Sequence, residues 1–509
     1  MFLKRRRNLA DEYFLAIDAG TTGCRSFIFN AFGILITTVR KEWSFNKQGT
    51  KIDFDPSYFW KKISENTQDA IKKANIDRSL IKGVSATSFR EGSVFLDKDG
   101  LELLAVPAHD LRALSEGLKL ETKYGEQLYR ITRRAPALLF LAARILHLKK
   151  KMKDLYSKID KILMVNDWIA YKLSGMFSME YSSASETMLF DIEKAQFSKE
   201  LLDLLEISQD LFPDLKLAGT SLGNVTKDAS KITGLSTDTI VSVGGADSQC
   251  GLVGMNLSNN LDTGVIAGST TPLQMILDRP LIDEKQRMWT NCHMIENKWV
   301  LESNSGKTGE VYKWLRNIFF EEINNDNNAY KKMDELASQV PVGSNSFLAF
   351  TGAMIMNSKN MEEAGTSGYG GFLFPLPINV ENQAKKAIIR SMLENLAFAI
   401  KANLLQMEEV VGAELDIISA CGGLTYSPLY SKILCDVIKK KLIIYKEKEA
   451  TGLGAAICAA VASGSYKNIK SAMENMVKIE RTLEPSESAK KYQSLFQKWK
   501  SYFETMKKV

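Results

Sequence analysis

Histidine is scarce in this sequence. His109, His147 and His293 are the only three among 509 residues, and none stands in an HExxH or CxxH arrangement. That leaves no ligand set for zinc-dependent hydrolysis. The six cysteines (Cys24, Cys250, Cys292, Cys421, Cys435 and Cys458) include no CxxC pair, which excludes a zinc ribbon or a redox dithiol and fits a reducing cytoplasm. Long apolar runs are missing as well. The longest small-apolar stretch, Leu453 to Ala462, falls far short of the ~20 residues that span a bilayer. Lys4-Arg5-Arg6-Arg7 begins like a signal peptide, but Asn8 to Glu12 stand where its apolar segment belongs, so the run reads as a solvated basic tail. An excess of one charge sign is lacking: 66 Lys and Arg against 60 Asp and Glu give a net +6, too small and dispersed for a nucleic-acid partner. With no low-complexity linker, the parts of the chain should be joined tightly.

What is present is length and pattern. A chain of 509 residues exceeds what one hydrophobic core supports, and 45% apolar with 25% charged residues is the make-up of a soluble globular protein of two or more domains. One glycine-hydroxyl turn occurs twice, in FLAIDAGTTGCRSFIF (Phe14–Phe29) and in GVIAGSTTPLQMIL (Gly264–Leu277). Each reads as strand, tight loop, strand. The turn's N–H groups and hydroxyls suit phosphate oxygens, glycine lets the backbone approach an anion, and Arg25 adds charge. The nucleotide loops of P-loop and Rossmann proteins run straight into a helix, whereas here a second strand follows and Asn30-Ala31-Phe32-Gly33 turns into a third, Ile34 to Trp43.

Further along, Asp53-Phe54-Asp55-Pro56 is a turn and cap before an amphipathic helix, Phe59 to Ala74. A buried strand, Ile81 to Ala86, runs into Arg90-Glu91, which reads either as a surface ion pair or as a clamp for polyol hydroxyls. Pro107 to Arg112 supplies a second carboxylate, Asp110, and residues 116 to 161 are mostly helical with a break at Pro136. Lys149-Lys150-Lys151 reads as a solvated face and Asn166-Asp167-Trp168 as the lead into a helix over 169–173. Thr239 to Gln249 is strand, glycine pair, then Asp247 opening a helix, and Asp416 to Thr425 repeats strand, glycine pair, helix. Both elements thus recur in the same order, an internal duplication with a boundary near Met255 to Asn260. Glu449 to Ala456 is a glycine-alanine helix suited to close packing. Beyond Ser463 the lysine-rich chain reads as a peripheral helix pair.

Taken in order, IDAGTTGCR, VGGADSQ, VIAGST and CGGLTYSPLYSKILCDVIKKKLIIYKEKEATGLGAA resemble the motifs of the FGGY carbohydrate kinases over nearly the whole chain. VSATSFREGSVFL, Glu42-Trp43, Phe54-Asp55 and NDWIAYKLSG look most similar to autoinducer-2 kinase-like members. The resemblance implies an α/β protein of two actin-like (ribonuclease H-like) lobes, residues 1–255 and 256–509, with ATP in the cleft between them. It further implies a cytoplasmic ATP- and Mg²⁺-dependent transfer to a hydroxyl of a small sugar or polyol, with no membrane partner and with a homodimer left open. Asp247 would be the general base, and Arg90, Glu91, Asp110 and Asp247 would bind substrate. Thr21, Thr22 and Arg25 would hold the transferred phosphate, Gly268, Ser269 and Thr270 the other end of the phosphate chain, and Gly309, Gly422 and Gly423 the adenosine. Asp18, with Asp247, would hold the metal through water, since Ala267 takes the place of Asp18 in the second loop. Ser269 in place of threonine keeps the hydroxyl, whereas Cys421 and Leu424 depart from the usual adenosine loop and Asp110 lies in AHDLR instead of a tryptophan-containing form. Xylulose, ribulose, glycerol or erythritol are alternative substrates, and an actin- or chaperone-like ATPase switch is the rival class.

Overall fold

The apolar run Phe14–Ile17 forms the middle of strand β1 (Tyr13–Gly20), buried along all but its two end residues. Burial on both faces is why it reads as a continuous run instead of an alternation. In the computed structural model, which describes residues 11–323, 326–359, 370–375 and 384–506, β1 is central to a six-stranded sheet. The basic run Lys4–Arg7 lies outside the described residues. Strands β2 (Gly23–Asn30) and β3 (Leu35–Glu42) continue the meander, followed by β4 (Ile81–Ser88), β5 (Ser221–Asn224) and β6 (Ile240–Ala246). Their order is β5-β6-β4-β1-β2-β3, with β1/β4 and β4/β6 parallel and the other pairs antiparallel.

A seven-stranded sheet repeats this plan. Its strands are β7 (Thr263–Ile266), β8 (Pro272–Leu277), β9 (Trp289–Cys292), β10 (Trp299–Asn304), β11 (Ile417–Cys421), β12 (Lys441–Tyr445) and β13 (Ile479–Leu483). The order is β9-β10-β8-β7-β11-β12-β13. The run β10-β8-β7-β11-β12 matches β3-β2-β1-β4-β6 in order and in every strand direction, and each run ends in an antiparallel edge strand, β13 or β5. The fold is thus α/β with two actin-like lobes, and the duplication expected from the repeated turn is a duplication of topology.

Two helices lock the lobes together. Asp247–Gly254 crosses Ala450–Ala462 so closely that a Cβ on Gly254 would lie 1.9 Å from the Ala450 carbonyl, and one on Gly454 would lie 1.9 Å from the Cys250 carbonyl. Helix Ala450–Ala462 then runs onto the first sheet, where Gly83 faces the Ala459 carbonyl and Gly452 faces Phe27. Phe14, Phe27 and Phe29 consequently share one core with Leu252, Ile276, Val300, Leu453 and Ile457. The close packing expected of the glycine-alanine helix is real, and its partner is the other half of the chain.

The end of the chain departs from expectation. A strand, β13, lies between helices Ile469–Met476 and Ser488–Met506, and the last helix is not peripheral: Tyr492, Phe496 and Trp499 are buried in the second lobe's core. Lysines on its outer face obscured an apolar stripe at 489, 492, 496, 499 and 503. Helix Val165–Ser174 likewise starts earlier than expected, because Asn166 and Asp167 are buried inside its first turn. Asp55 does cap helix Pro56–Ala74, accepting from the backbone N–H groups of Ser57 and Tyr58.

Candidate active site

Asp247 is aimed by backbone packing. Gly244 lies so near β4 that a Cβ there would meet the Ala86 carbonyl at 1.8 Å, and the β4/β6 register slips between Ser242 and Gly245. Thr87 Oγ1 donates to the Gly245 carbonyl at 2.8 Å, and Ala246 N–H donates to Ser182 Oγ at 3.1 Å. Ser182 in turn donates to Glu180, a fully buried carboxylate that loss of hydration pushes up to about 8. Asp247 then stands first in its helix, accepting from Ser248 N–H at 2.7 Å. Its side chain is 40% exposed. Lost hydration pushes its carboxyl up to about 7, Arg90 opposes that and the Asp18 charge adds to it.

From Asp247 a line of contacts runs toward the second lobe. Asp18, paired with Arg25 across the β1–β2 hairpin, takes the guanidinium on Oδ2 at 2.6 and 3.1 Å, and Arg25 reaches Glu449 of the second lobe at 2.5 Å. The Asp18 charge, then Glu449, hold Arg25 above its ordinary range against the opposing effect of burial. Thr21 and Thr22 form the exposed two-residue turn, and Arg40, which the sequence reading passed over, donates to Thr22 Oγ1 at 3.1 Å. None of Gly20, Thr21, Thr22 and Gly23 has positive φ. Gly23 is needed because a Cβ would meet the Lys41 carbonyl at 2.3 Å, so this glycine serves sheet packing.

The second loop is built with its neighbours. Gly309 N–H donates to the Gly268 carbonyl at 3.1 Å and Glu310 N–H to that of Ser269 at 3.2 Å, setting the start of helix Thr308–Phe320 against the loop. Gly422, at φ +93°, lies against Ala267, whose carbonyl accepts from Leu424 N–H at 3.2 Å. Gly423 faces open space, and Ser269 and Thr270 are exposed. The structure therefore gathers Gly268, Ser269, Thr270, Gly309, Gly422 and Gly423 in one place.

Arg90 is not paired with its neighbour Glu91. Its Nε lies 3.9 Å from Asp247, and Nη1 lies 2.7 Å from Glu302 on β10 and 3.6 Å from Glu186. Glu91 has φ +57°, a strained backbone for a residue of this kind, and its carboxylate faces Arg134 at 3.8 Å. Arg134, Glu186, Asn291 and Glu302 lie far apart in the chain and carry no motif, and Gln274 sits past the turn of the second glycine-hydroxyl repeat. Burial raises Glu186 well above the ordinary carboxylate range, whereas at Glu302 burial is outweighed by Arg90, Arg134 and the Gln274 amide together, which hold it low.

Asp110 is a correction. Its two oxygens accept from Ile52 N–H at 2.9 Å and from Arg112 Nε at 2.6 Å, and the side chain is wholly buried. A carboxylate whose oxygens are taken by its own fold fastens the Pro107–Arg112 loop to Ile52 and Asp53 and leaves no clamp for a hydroxyl. Arg144, also unforeseen, ties that loop to the site by donating to the carbonyls of Glu91, Pro107 and Ala108.

The model of the FGGY carbohydrate kinase N-terminal domain matches residues 13–254, and that of the C-terminal domain matches residues 263–463. An autoinducer-2 kinase of Salmonella typhimurium is 30% identical over 509 residues, covering 97% of this chain and 94% of that protein. In fold, the chain is similar to a ligand-bound xylulose kinase from Lactobacillus acidophilus (TM-score 0.84, 18% identity, 97% of this chain and 98% of that one). It is also similar to Plasmodium falciparum glycerol kinase with ADP (TM-score 0.83, 17% identity, the same coverages). With both halves matched over most of their length, the chain belongs to the FGGY family of carbohydrate kinases and is a sugar kinase.

Proposed function

We propose that the protein transfers the γ-phosphoryl group of ATP to a hydroxyl of a small sugar or polyol in the cytoplasm, and that the linear autoinducer-2 precursor is the first substrate to test. Residues 1–255 carry the acceptor site, the first phosphate loop and the base, and residues 256–509 carry the second loop and the adenosine site. The observation that carries this reading is Asp247 itself. It sits between Arg90, 3.9 Å away at the acceptor end, and the charge of Asp18 at the phosphate end. In phosphoryl transfer the protein positions the reactants, neutralises charge and helps remove the acceptor's proton.

Asp247 takes the proton of the attacking hydroxyl, Thr21, Thr22 and Arg25 face the transferred group, and Ser269 and Thr270 meet the rest of the phosphate chain. Adenosine lies on Gly422 and Gly423, where the open face of Gly423 leaves room, with Gly309 beside it. Asp18 and Asp247 suit a hydrated magnesium ion, because two carboxylates and several waters are its usual shell, and both hydrogen bonds from Arg25 fall on Asp18 Oδ2. Bound there, the ion would neutralise phosphate charge. The 30% identity to an autoinducer-2 kinase supports that substrate, while xylulose, ribulose, glycerol and erythritol remain the comparison set.

The test is turnover of Asp247→Asn with ATP and this panel. Loss of a general base should cut kcat about 10²–10⁴-fold. Near-normal transfer by that variant rejects the assignment, and substrate-independent hydrolysis by the wild type rejects the kinase reading.

A further inference from the structure

Asp247 and Arg90 leave the ends of neighbouring strands. Ala246, the last residue of β6, stands opposite Ser88, the last residue of β4, and Arg90 follows two residues after Ser88. One group of buried side chains, which the transfer described above does not use, holds both strand ends. Ala246 N–H donates to Ser182 Oγ at 3.1 Å, and that hydroxyl donates to Glu180 Oε2, which also accepts from the N–H groups of Ser182 at 2.7 Å and Ser183 at 3.2 Å. Toward β4, Ser88 Oγ reaches Asn166 Oδ1 at 3.4 Å, and Ser183 Oγ donates to the same oxygen at 3.1 Å. Asp167 Oδ1 closes the ring, accepting from Asn166 Nδ2 at 3.1 Å and from Glu180 N–H at 3.2 Å.

Helix capping accounts for only part of this. Glu180 stands just before the short helix Tyr181–Ser185, and a cap needs no more than the N–H groups of Ser182 and Ser183. The Ser182 hydroxyl goes further: it gives its proton to Glu180 and takes that of Ala246, so its rotation is fixed at both ends. The backbone immediately before Asp247 thus has a rigid partner. Burial raises both carboxyls, Glu180 to about 8 and Asp167 well above its ordinary range with Glu180 adding to it, so each holds a proton at pH 7. Glu180 Oε1 and Asp167 Oδ2, the oxygens buried without a hydrogen-bond partner, are where those protons sit, because Oε2 and Oδ1 are occupied as acceptors. The ring is uncharged and acts by geometry.

We propose that Glu180, Ser182 and Asn166 are positioning residues for the transfer: they fix the end of β6 against the end of β4 and so hold the Asp247 carboxylate in place, relative to Arg90, for taking the acceptor's proton. The inference rests on the kinase reading and deepens it. Proton transfer stays with Asp247, and none of the three needs to touch the substrate. Misplacing a reacting group by about 1 Å can cost on the order of 10²-fold in rate, so a hydrogen bond one residue away from the base is close enough to matter.

The experiment uses the full-length enzyme with ATP, magnesium and whichever of glycerol, erythritol, xylulose, ribulose and the linear autoinducer-2 precursor the wild type phosphorylates fastest. Ser182→Ala should lower kcat by about 10-fold or more while the KM values for ATP and acceptor stay within about 2-fold of wild type. A residue that merely supports the fold would lower the rate by the same factor in any background. One that acts through Asp247 would not, so in an Asp247→Asn enzyme Ser182→Ala should cost less than about 2-fold more. A folded Ser182→Ala enzyme with wild-type kcat overturns the proposal, and so does an equal loss in both backgrounds. Should the unpartnered Ala246 N–H unfold Ser182→Ala, Ser182→Cys, which keeps a weak donor and acceptor, is judged by the same two readings. Failure of the kinase reading looks different: no acceptor is phosphorylated, or Asp247→Asn by itself stays fully active, and this inference falls with it.

Discussion

At the scale of single residues, lost hydration and the Asp18 charge hold the Asp247 carboxyl at about 7 against the opposing Arg90. A base must be unprotonated to accept a proton, so kcat/KM for the acceptor should climb as pH rises through about 7 and level off above it. A flat profile from pH 5.5 to 8.5 counts against Asp247 as the base. The same shift bears on stability. The folded protein holds this proton up to about 7 whereas the unfolded chain releases it near 3.8, so folding is penalised progressively as pH rises from about 4 to about 7. Asp247→Asn should therefore melt higher than wild type at pH 8, and the gap should close toward pH 4; equal melting temperatures at both pH values refute the shift. Around this residue, Arg25, Arg90, Glu91 and Asp247 were legible as chemistry because each stands in a short motif. Glu186, Arg134 and Glu302 were not, since their meaning arises only where three distant segments meet.

At the scale of elements, the phosphate loops depend on what presses against them. A Cβ on Gly309 would stand 2.3 Å from the Gly268 carbonyl. Gly309→Ala should therefore push helix Thr308–Phe320 off the second loop and raise the KM for ATP more than that for the acceptor; equal effects on both would place the fault elsewhere. The crossing of Asp247–Gly254 with Ala450–Ala462 leaves even less room. Gly454→Ala should cost about 1–3 kcal/mol by overpacking, read as a lower urea midpoint with an unchanged slope. Wild-type stability for this variant contradicts the close crossing. Hairpins, caps and glycine turns were readable because they depend on neighbours in sequence. The strand β13 and the buried face of Ser488–Met506 were hidden, because lysine-rich composition masked a pattern that only the second lobe's core makes use of.

At the scale of the whole molecule, two sheets of one topology face a shared site, and Arg90–Glu302 and Arg25–Glu449 join the lobes at 2.7 and 2.5 Å. In the proposed reaction phosphate would compete for Arg25 and acceptor hydroxyls for Arg90, so ligand binding should alter the lobes' separation. Small-angle scattering with a non-hydrolysable ATP analogue and acceptor should show a smaller radius of gyration than the free enzyme. An unchanged radius argues against closure.

By itself the sequence determined the strand–turn–strand repeat, the glycine positions and the place of Asp247 at a helix start, because backbone sterics and local hydrogen bonding act over a few residues. That was enough for the fold class and the family. Only the tertiary structure decided that Asp110 is a fastening instead of a clamp, that Arg90 pairs across the lobes, and that Glu186, Arg134 and Glu302 meet around Arg90. Ion pairs and burial are set by distances through space, and residues 212 apart in the chain, such as Arg90 and Glu302, carry no local sign of meeting.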